Sequence, residues 1–425
     1  MSSTVAISDE IFSKQASPGF SFVVGFFFSF RVVIGLLSAR VLGADPQTGT
    51  ELNLGLNFLF LFVVAFNCLG DVRYSIGSMF RLWSIRWVFF FLVFSCWSLA
   101  WSGTASLSTS IAYWGAMAAD VAIVILLLRT EPAERVAYPF MRGFIWSACM
   151  IAVVAWLMPV QRDLRLGDEE LLNSNQIGNL CAFAFFFCQY LMRSRKEKWG
   201  LAAAFLGVTL LRSLSKTTII AFLVSQCFLL LRDKSISRRT KIRLAMGAGV
   251  LVMVFWGLIE AYYVVYTNAG NQAETLTGRV GIWSYVLSAA LEQPWIGHGF
   301  NSIWKVVPPF GDFEARHAEN ELLQQFYAYG VVGIGLLIGL YGSLYRQVRK
   351  LPRGSARIFF VSMLLFFVVR GFAEAEPFDL LLPLWAIVLI SLLTDQIIRS
   401  AVDNELEVPA RAIIPAKVLW PSPAR

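Results

Sequence analysis

Long runs of apolar residues dominate this chain of 425 residues and restrict the folds that it can adopt. A helix needs roughly 20 predominantly apolar residues to cross the hydrocarbon core of a bilayer. The run at about 18–38 meets this requirement, and similar runs recur until about residue 397. The chain is 57% apolar and 15% charged, whereas soluble domains are about 45–50% apolar and about 25% charged. These values argue against a soluble enzyme and a disordered chain, and they predict an all-α, polytopic membrane protein.

We predict twelve transmembrane helices, each bounded by turn or charge signals. They lie at about 18–38, 53–70, 87–102, 109–128, 143–159, 176–192, 199–212, 217–231, 244–262, 327–345, 357–373 and 379–397. The seventh and eighth are short and flank a polar stretch, so they are either full spans or a re-entrant pair. Both alternatives leave the parity of the other spans unchanged.

Lys and Arg residues orient these spans, because cytoplasmic loops carry an excess of both. With the N-terminus in the cytoplasm, 26 of the 36 basic residues fall on the cytoplasmic side and 8 on the outer side. Both termini are therefore expected to be cytoplasmic. The formal net charge of +8 then reflects topology, and we expect no nucleic-acid partner. Arg31 and Arg370 lie inside spans, and we interpret Arg31 as a partner of the intramembrane Asp120.

The predicted spans divide the chain into four parts. Residues 1–262 form the first nine transmembrane helices, and residues 263–326 form one long periplasmic loop that contains helices. Residues 327–397 form the last three transmembrane helices, and the Pro-rich residues 398–425 form a cytoplasmic tail. Long structured loops often carry function, so the periplasmic loop is where we expect the site.

Both histidines of the protein, His298 and His317, lie in this loop. Arg279 and Trp283 are four residues apart and share a face of a helix predicted over about 279–293. Val280, Val286 and Leu287 recur at helical spacing with Trp283 and suggest that this helix lies against the membrane. His298 stands between the glycines of a Gly-x-Gly turn and is interpreted as structural.

Three motifs follow one another in and after this loop: Gly-Arg-x3-Trp, Pro-Trp-Ile-Gly-x-Gly, and His-x-x-Asn before Gly-x-x-Gly. Their order resembles the O-antigen ligase/polymerase superfamily, whose members are membrane glycosyltransferases that use polyprenyl-diphosphate-linked saccharides. In that family a His directly precedes the Asn, and nine residues separate the Asn from Gly-x-x-Gly. Here Glu319 directly precedes Asn320, and His317 lies two residues before Glu319. Either His317 or Glu319 is then the base.

Two further segments extend the resemblance. Arg165-Leu166-Gly167 with the later Asn-Gln-Ile-Gly at 175–178 is similar to an Arg-x-Gly…Asn-x-x-Gly signature. Ser215-Lys216-Thr217 is similar to the Ser-Lys-Thr element of exopolysaccharide polymerases, and O-antigen ligases often have Arg in place of the Lys.

The resemblance implies an undecaprenyl-diphosphate-linked oligosaccharide donor, bound at the periplasmic face of the bacterial inner membrane. Arginine holds diphosphates through paired, charge-assisted hydrogen bonds, and lysine holds them as a point charge. Arg279 is therefore predicted to be catalytic, as a stabiliser of the leaving group. The residues predicted to bind substrate are Arg165, Arg212, Lys216, Asn320 and Arg370. Alternatively, the basic side chains snorkel to the interface, and Arg370 pairs with Glu374 to close a helix end.

The implied reaction is an inverting transfer that uses no metal and no cofactor. The two histidines, 19 residues apart, have no recognisable metal-ligand spacing. The acceptor hydroxyl needs a base, His317 or Glu319, which typically adds about 10²–10⁴-fold to the rate. The Ser-Lys-Thr element favours a polymerase of exopolysaccharide or O-antigen. A protein that regulates chain length is a possible partner, which the sequence does not identify.

Two alternatives remain. A ligase would transfer the glycan to lipid A-core. A transporter of lipid-linked oligosaccharides would show symmetry between its halves and charges deep in the bundle.

Overall fold

A computed structural model describes residues 18–411 except 69, 71–72, 160, 162–163, 169–170, 259, 262–263, 265–275 and 305–315. Within these residues the chain is helical, apart from loops and one isolated β-bridge between Asp168 and Leu172. The α-helices are α1 (Pro18–Phe30), α2 (Ile34–Arg40), α3 (Pro46–Cys68), α4 (Ile76–Met79), α5 (Trp83–Ser98), α6 (Leu107–Thr130), α7 (Ala133–Leu157), α8 (Ser174–Ser194), α9 (Gly200–Arg212), α10 (Lys216–Arg232), α11 (Arg238–Val254), α12 (Leu276–Ala290), α13 (Glu321–Val348), α14 (Ser355–Gly371) and α15 (Leu384–Arg411).

Seven helical segments in the described part of the chain are long and apolar enough to cross a membrane. They are Gly19–Arg40, Thr48–Cys68, Trp83–Trp101, Leu107–Thr130, Ala133–Leu157, Glu321–Val348 and Leu384–Asp403. This confirms an all-helical chain with several apolar helices of membrane-spanning length. The number of twelve spans and the cytoplasmic position of both termini stay predictions. Residues 412–425 of the predicted tail lie outside the described residues.

Close contact between α1 and α7 shows how these helices pack. A methyl group added at Gly25 would overlap the backbone of Phe140, and one added at Gly143 would overlap the backbone of Phe22. Small residues allow helix backbones to approach in a membrane, where lipid contact is as apolar as helix contact. Trp385 of α15 fills the adjacent core, with its ring centroid 5.3 Å from that of Phe140.

The two charged residues predicted to pair inside the bundle do so. Nη1 of Arg31 lies 2.6 Å from Oδ1 of Asp120, which is buried on α6. An isolated charge inside the membrane is costly, so this pair stabilises the contact between the N-terminal helix and α6.

The helix α13 is broken at Gly330, and the Pro294–Gly299 turn packs against the break. Gly330 has φ 62° and ψ −152°, a conformation essentially restricted to glycine. The amide of Val331 donates to the carbonyl of Pro294 at 2.8 Å, and the amide of Gly299 donates to Ala328 at 2.8 Å. The turn therefore pairs backbone groups near the break, and it joins the loop motif to the first Gly of Gly-x-x-Gly.

Candidate active site

The sequence motifs meet at one place, although they belong to separate segments. Oγ of Ser215, before α10, donates to Oδ1 of Asn175 in the first turn of α8 at 2.7 Å. Arg279 of α12 donates from Nη1 to Oγ1 of Thr217 at 3.3 Å. Nη2 of the same arginine lies 3.2 Å from Oε2 of Glu319, just before α13. The first turns of α8, α10 and α12 and the segment before α13 thus form one cluster.

Arg279 and Trp283 share a helix face, as their spacing predicts. The indole Nε1 of Trp283 donates to the backbone carbonyl of Glu319 at 3.2 Å, while Arg279 contacts the carboxylate of the same residue. Glu319 has φ 51°, in the left-handed region that few non-glycine residues adopt. Two side chains from α12 therefore hold Glu319 in a strained conformation.

One side of α12 is buried inside the protein. The buried residues are Ile282, Val286 and Ala290, which pack with Tyr327 of α13. Val280 and Leu287, from the stripe predicted to lie against the membrane, are 55% and 42% exposed, and that placement stays a prediction. The helix ends at Ala290, before the predicted residue 293, because the next residues form the turn that leads to Pro294.

His317 lies between two carboxylates. Its Nδ1 is 3.8 Å from Oε1 of Glu319, and its Nε2 is 3.9 Å from Oε1 of Glu374. The backbone amide of Glu319 points at Nδ1 across 3.3 Å. This contact assigns the acceptor role to Nδ1 and the hydrogen to Nε2, facing Glu374. The imidazole thus has the carboxylate of Glu374 facing Nε2, and the lone pair that can accept a proton is on Nδ1.

Glu374 is the site residue that sequence reasoning missed. It follows the end of α14 and is 3% exposed. Its spacing from Arg370 suggested an ion pair between the two, but its carboxylate faces His317. The signal in the sequence was an acidic residue directly after a predicted span, on the same predicted side as the loop motifs.

Arg370 lies in a buried cluster of acidic residues. It is 1% exposed, and its Nη1 lies 3.7 Å from Oε1 of Glu376, which takes the place predicted for Glu374. Glu321 is also buried nearby, and it accepts a hydrogen bond from the amide of Leu381 at 2.8 Å. This position favours a counter-ion role for Arg370 over the predicted contact with substrate.

Asn320 caps α13. Its Oδ1 accepts a hydrogen bond from the amide of Leu323 at 3.0 Å, and its Nδ2 donates to the carbonyl of Phe372 at 2.9 Å. An N-cap satisfies an amide that the first turn of a helix leaves without a partner. The second bond holds the segment after α14 beside His317. Both ends of the side chain are thus occupied by the protein, although Asn320 was predicted to bind substrate.

The other predicted basic residues lie beside the Ser-Lys-Thr element. Nη1 of Arg212 donates to the carbonyl of Leu164 at 2.8 Å, which ties α9 to the loop that carries Arg165. Nη1 of Arg165 lies 3.5 Å from Oγ of Ser174. Lys216 is the exposed first residue of α10, next to the Thr217 that Arg279 contacts. Since helix N-termini also favour anions, this side of Arg279 has positive character.

Three side chains could hold a metal ion. His317, Glu319 and Glu374 each offer one ligand atom, and these atoms lie within 4.8 Å of one another. Nitrogen and carboxylate ligands suit Zn²⁺. However, Glu319 already has Arg279 as a cationic partner at 3.2 Å. The predicted absence of a metal therefore stays a prediction.

Comparison with known proteins agrees with the motifs. The O-antigen ligase family matches residues 201–338, a range that includes Lys216, Arg279, His317 and Gly330. The exopolysaccharide production protein ExoQ of Rhizobium meliloti is 25% identical over an aligned length of 375, which covers 75% of this chain and 82% of the relative. An O-antigen ligase of Pseudomonas aeruginosa is 24% identical over 200 residues, 46% of this chain and 47% of the relative. These matches confirm the resemblance to the O-antigen ligase/polymerase superfamily.

Proposed function

We propose that this protein is a polysaccharide polymerase of the bacterial inner membrane. It transfers saccharide units from an undecaprenyl-diphosphate-linked donor to a sugar hydroxyl at the periplasmic face, in exopolysaccharide or O-antigen synthesis. The observation that carries this proposal is the contact of Arg279 with both Thr217 and Glu319, beside His317. This contact joins a group of basic residues, which can bind the diphosphate, to a group of acidic residues around His317, which can receive the proton of the acceptor hydroxyl.

The basic group binds the donor. A guanidinium has five N–H donors, so Arg279 can contact Thr217 and Glu319 and still hold an oxygen of the diphosphate. Lys216, Arg212 and Arg165 surround the same segment and add positive charge. Fixed positive charge stabilises the diphosphate as it leaves, and this is commonly the largest contribution to catalysis of such reactions.

His317 is the base, and Glu374 positions it. The acceptor oxygen attacks the anomeric carbon opposite the diphosphate, the bond from that carbon to the diphosphate oxygen breaks, and undecaprenyl diphosphate leaves. The hydroxyl replaces the 3.3 Å contact of the Glu319 amide at Nδ1 of His317, and its proton passes to Nδ1 and from there to solvent. Glu374 stabilises the imidazolium, as the carboxylate does in a catalytic triad. Glu319 is the weaker candidate because its carboxylate is already paired with Arg279.

The reaction needs no metal by this proposal, because Arg279 and the lysine supply the charge that a divalent ion would otherwise supply. The test is activity after treatment with EDTA. Unchanged transfer is the expected result. Loss of transfer that Zn²⁺ or Mn²⁺ restores would instead assign His317, Glu319 and Glu374 to a metal site.

A ligase is the second candidate, because the matched family is named for that activity. Its acceptor would be lipid A-core. The exopolysaccharide relative, matched over 82% of its length, favours the polymerase.

The deciding experiment uses the purified full-length protein in proteoliposomes, supplied with lipid-linked repeat units with and without lipid A-core. A ladder of lengthening lipid-linked products is the expected result. One-step transfer to lipid A-core would show that the protein is a ligase and not a polymerase. Movement of the lipid-linked saccharide across the bilayer with no new glycosidic bond would overturn the enzyme and support a transporter.

A further inference from the structure

A narrow polar cavity lies next to the segment that carries His317, and the proposed reaction gives it no role. Its polar lining comes from Asn301, Gln324, Gln325, Glu376 and Asp379. Aromatic residues, among them Tyr329 and Phe378, complete its wall. In the described conformation it has room for about one water molecule, or one group of that size.

The cavity is connected to the site through two of its walls. Oε1 of Gln324 accepts a hydrogen bond at 2.9 Å from the amide of Ala318, the residue between His317 and Glu319. Glu376 on another wall lies 3.7 Å from Arg370. Its side chain is 36% exposed, so this wall reaches solvent. A group bound in the cavity would therefore lie beside the segment that carries the base.

One lining side chain is buried with an unused acceptor. Gln325 is 4% exposed, and its Oε1 accepts no hydrogen bond from the part of the chain that the structure describes. Buried amide oxygens are nearly always hydrogen-bonded, by the protein or by a molecule that it binds. Gln325 belongs to α13, whose first turns are fixed by the Asn320 cap. Its oxygen is thus a fixed acceptor that requires a donor from outside the described residues.

The chemistry of the cavity selects the kind of group that fits. Its polar groups are amides and carboxylates, and its described lining includes no Lys, Arg or His. An anionic group such as the diphosphate would meet two acidic residues there, Glu376 and Asp379, and no cation from the described lining. A hydroxyl suits the cavity because it donates one hydrogen bond and is as small as water.

We infer that this cavity receives a second hydroxyl of the acceptor sugar, a neighbour of the hydroxyl that reacts. Oε1 of Gln325 accepts its hydrogen bond, and this contact places the reacting oxygen near His317. The inference rests on the proposed function and adds to it that the acceptor is chosen by a hydroxyl that is not itself glycosylated. A site built to bind a hydroxyl rejects an analogue that lacks it, because the buried acceptor is then left without a partner.

The test compares the full-length wild type with Gln325→Leu in proteoliposomes. Each receives the native acceptor and a series of monodeoxy acceptors, with kcat/KM measured for the acceptor and KM for the donor. We expect the wild type to lose at least about tenfold in kcat/KM on one deoxy acceptor. Gln325→Leu should lose a similar factor on the native acceptor and little more on that same deoxy acceptor. The KM for the donor should be unchanged.

Two controls separate this effect from a general perturbation. Gln325→Glu keeps an acceptor oxygen and should restore discrimination against the deoxy acceptor. Gln226→Leu removes a side chain that pairs with Gln189 at 2.7 Å, outside the cavity, and should leave acceptor kinetics unchanged.

Three results would contradict the inference. A wild type that uses all monodeoxy acceptors equally well would show that the cavity holds only a structural water, and this result needs no variant. Unchanged acceptor kinetics in Gln325→Leu would show the same. Equal losses for Gln325→Leu on every acceptor, relative to wild type, would mean a structural role. Absence of any glycosidic product from the wild type would instead overturn the proposed function.

Discussion

The guanidinium of Arg279 lies 3.2 Å from the carboxylate of Glu319 and donates a hydrogen bond to Thr217 on its other side. One side chain therefore connects the Ser-Lys-Thr element to the segment that carries His317. Its own carboxylate partner keeps Arg279 in place when no donor is bound, and the guanidinium has further N–H groups for the diphosphate.

Substitution of Arg279 tests this central position. Arg279→Ala should lower transfer by about 10²–10³-fold, the usual loss when one group that stabilises the leaving charge is removed. Arg279→Lys should recover little, because an ammonium is a point charge without the planar fork by which the guanidinium contacts Thr217 and Glu319 from separate nitrogens. The measurement is the initial rate of product formation in proteoliposomes at saturating donor.

Arg142→Ala is the matched control, since it breaks an arginine–glutamate pair of 2.6 Å with Glu197, away from the motifs. It should leave transfer unchanged. If Arg279→Ala retains activity close to that of the control, Arg279 has no part in the reaction.

Substitutions of His317, Glu374 and Glu319 test which residue is the base, because the three should lower kcat by different factors. His317→Ala should reduce kcat by about 10²–10⁴-fold. Glu374→Gln should reduce kcat less and leave the KM for donor unchanged, because it only positions the imidazole. Glu319→Gln should also have the smaller effect. The measurement is kcat and KM for each variant, with folding checked by size-exclusion chromatography. A Glu319→Gln variant as inactive as His317→Ala, with Glu374→Gln at wild-type rate, would make Glu319 the base.

The break in α13 predicts a selective loss of stability. Gly330→Ala would force a side chain into φ 62°, which alone costs about 1–3 kcal/mol, and its Cβ would overlap the backbone of Trp295. Thermal unfolding in detergent, followed by tryptophan fluorescence, should show a clearly lower midpoint. Gly335→Ala in the same helix has open space for its Cβ and should leave the midpoint nearly unchanged. Equal midpoints for the two variants would contradict the role of the break.

Asp379 predicts a pH dependence of stability. Burial raises the pKa of this carboxyl to about 7, against about 3.9 in an unfolded chain. The folded state therefore binds the extra proton, and this stabilisation is complete below about pH 4 and is lost as pH rises through about 7. Asp379→Asn cannot ionise, so its unfolding midpoint should exceed that of the wild type at pH 8, with the difference shrinking towards pH 4.

Parallel pH curves for the wild type and Asp379→Asn would show that the carboxyl does not titrate in this range.

Local patterns predicted several contacts of the structure correctly. The four-residue spacing of Arg279 and Trp283 placed both on one face, and both contact Glu319. The charges of Arg31 and Asp120, each costly in a span, predicted their pairing. The first prediction followed from helix periodicity, which relates residues that are close in sequence. The second followed from the cost of burying a charge, and very few residues inside the spans are charged.

Contacts between distant segments were harder to predict. Glu374 was expected to meet Arg370 one turn away, but Glu376 takes that place and Glu374 faces His317. The loop after α14 is not helical, so helix spacing no longer determines where its side chains point.

The sequence alone determined that this is a helical membrane chain, which motifs it carries and which family it resembles, because these depend on apolar content and on the order of residues. Only the tertiary structure decided that His317 lies between Glu319 and Glu374, and that a cavity lies next to this segment, with an amide oxygen that no described residue hydrogen-bonds. The packing of α13 against α14 brings the break at Gly330, the cap at Asn320 and the end of α14 together. These contacts join residues that are distant in sequence, so local patterns do not predict them.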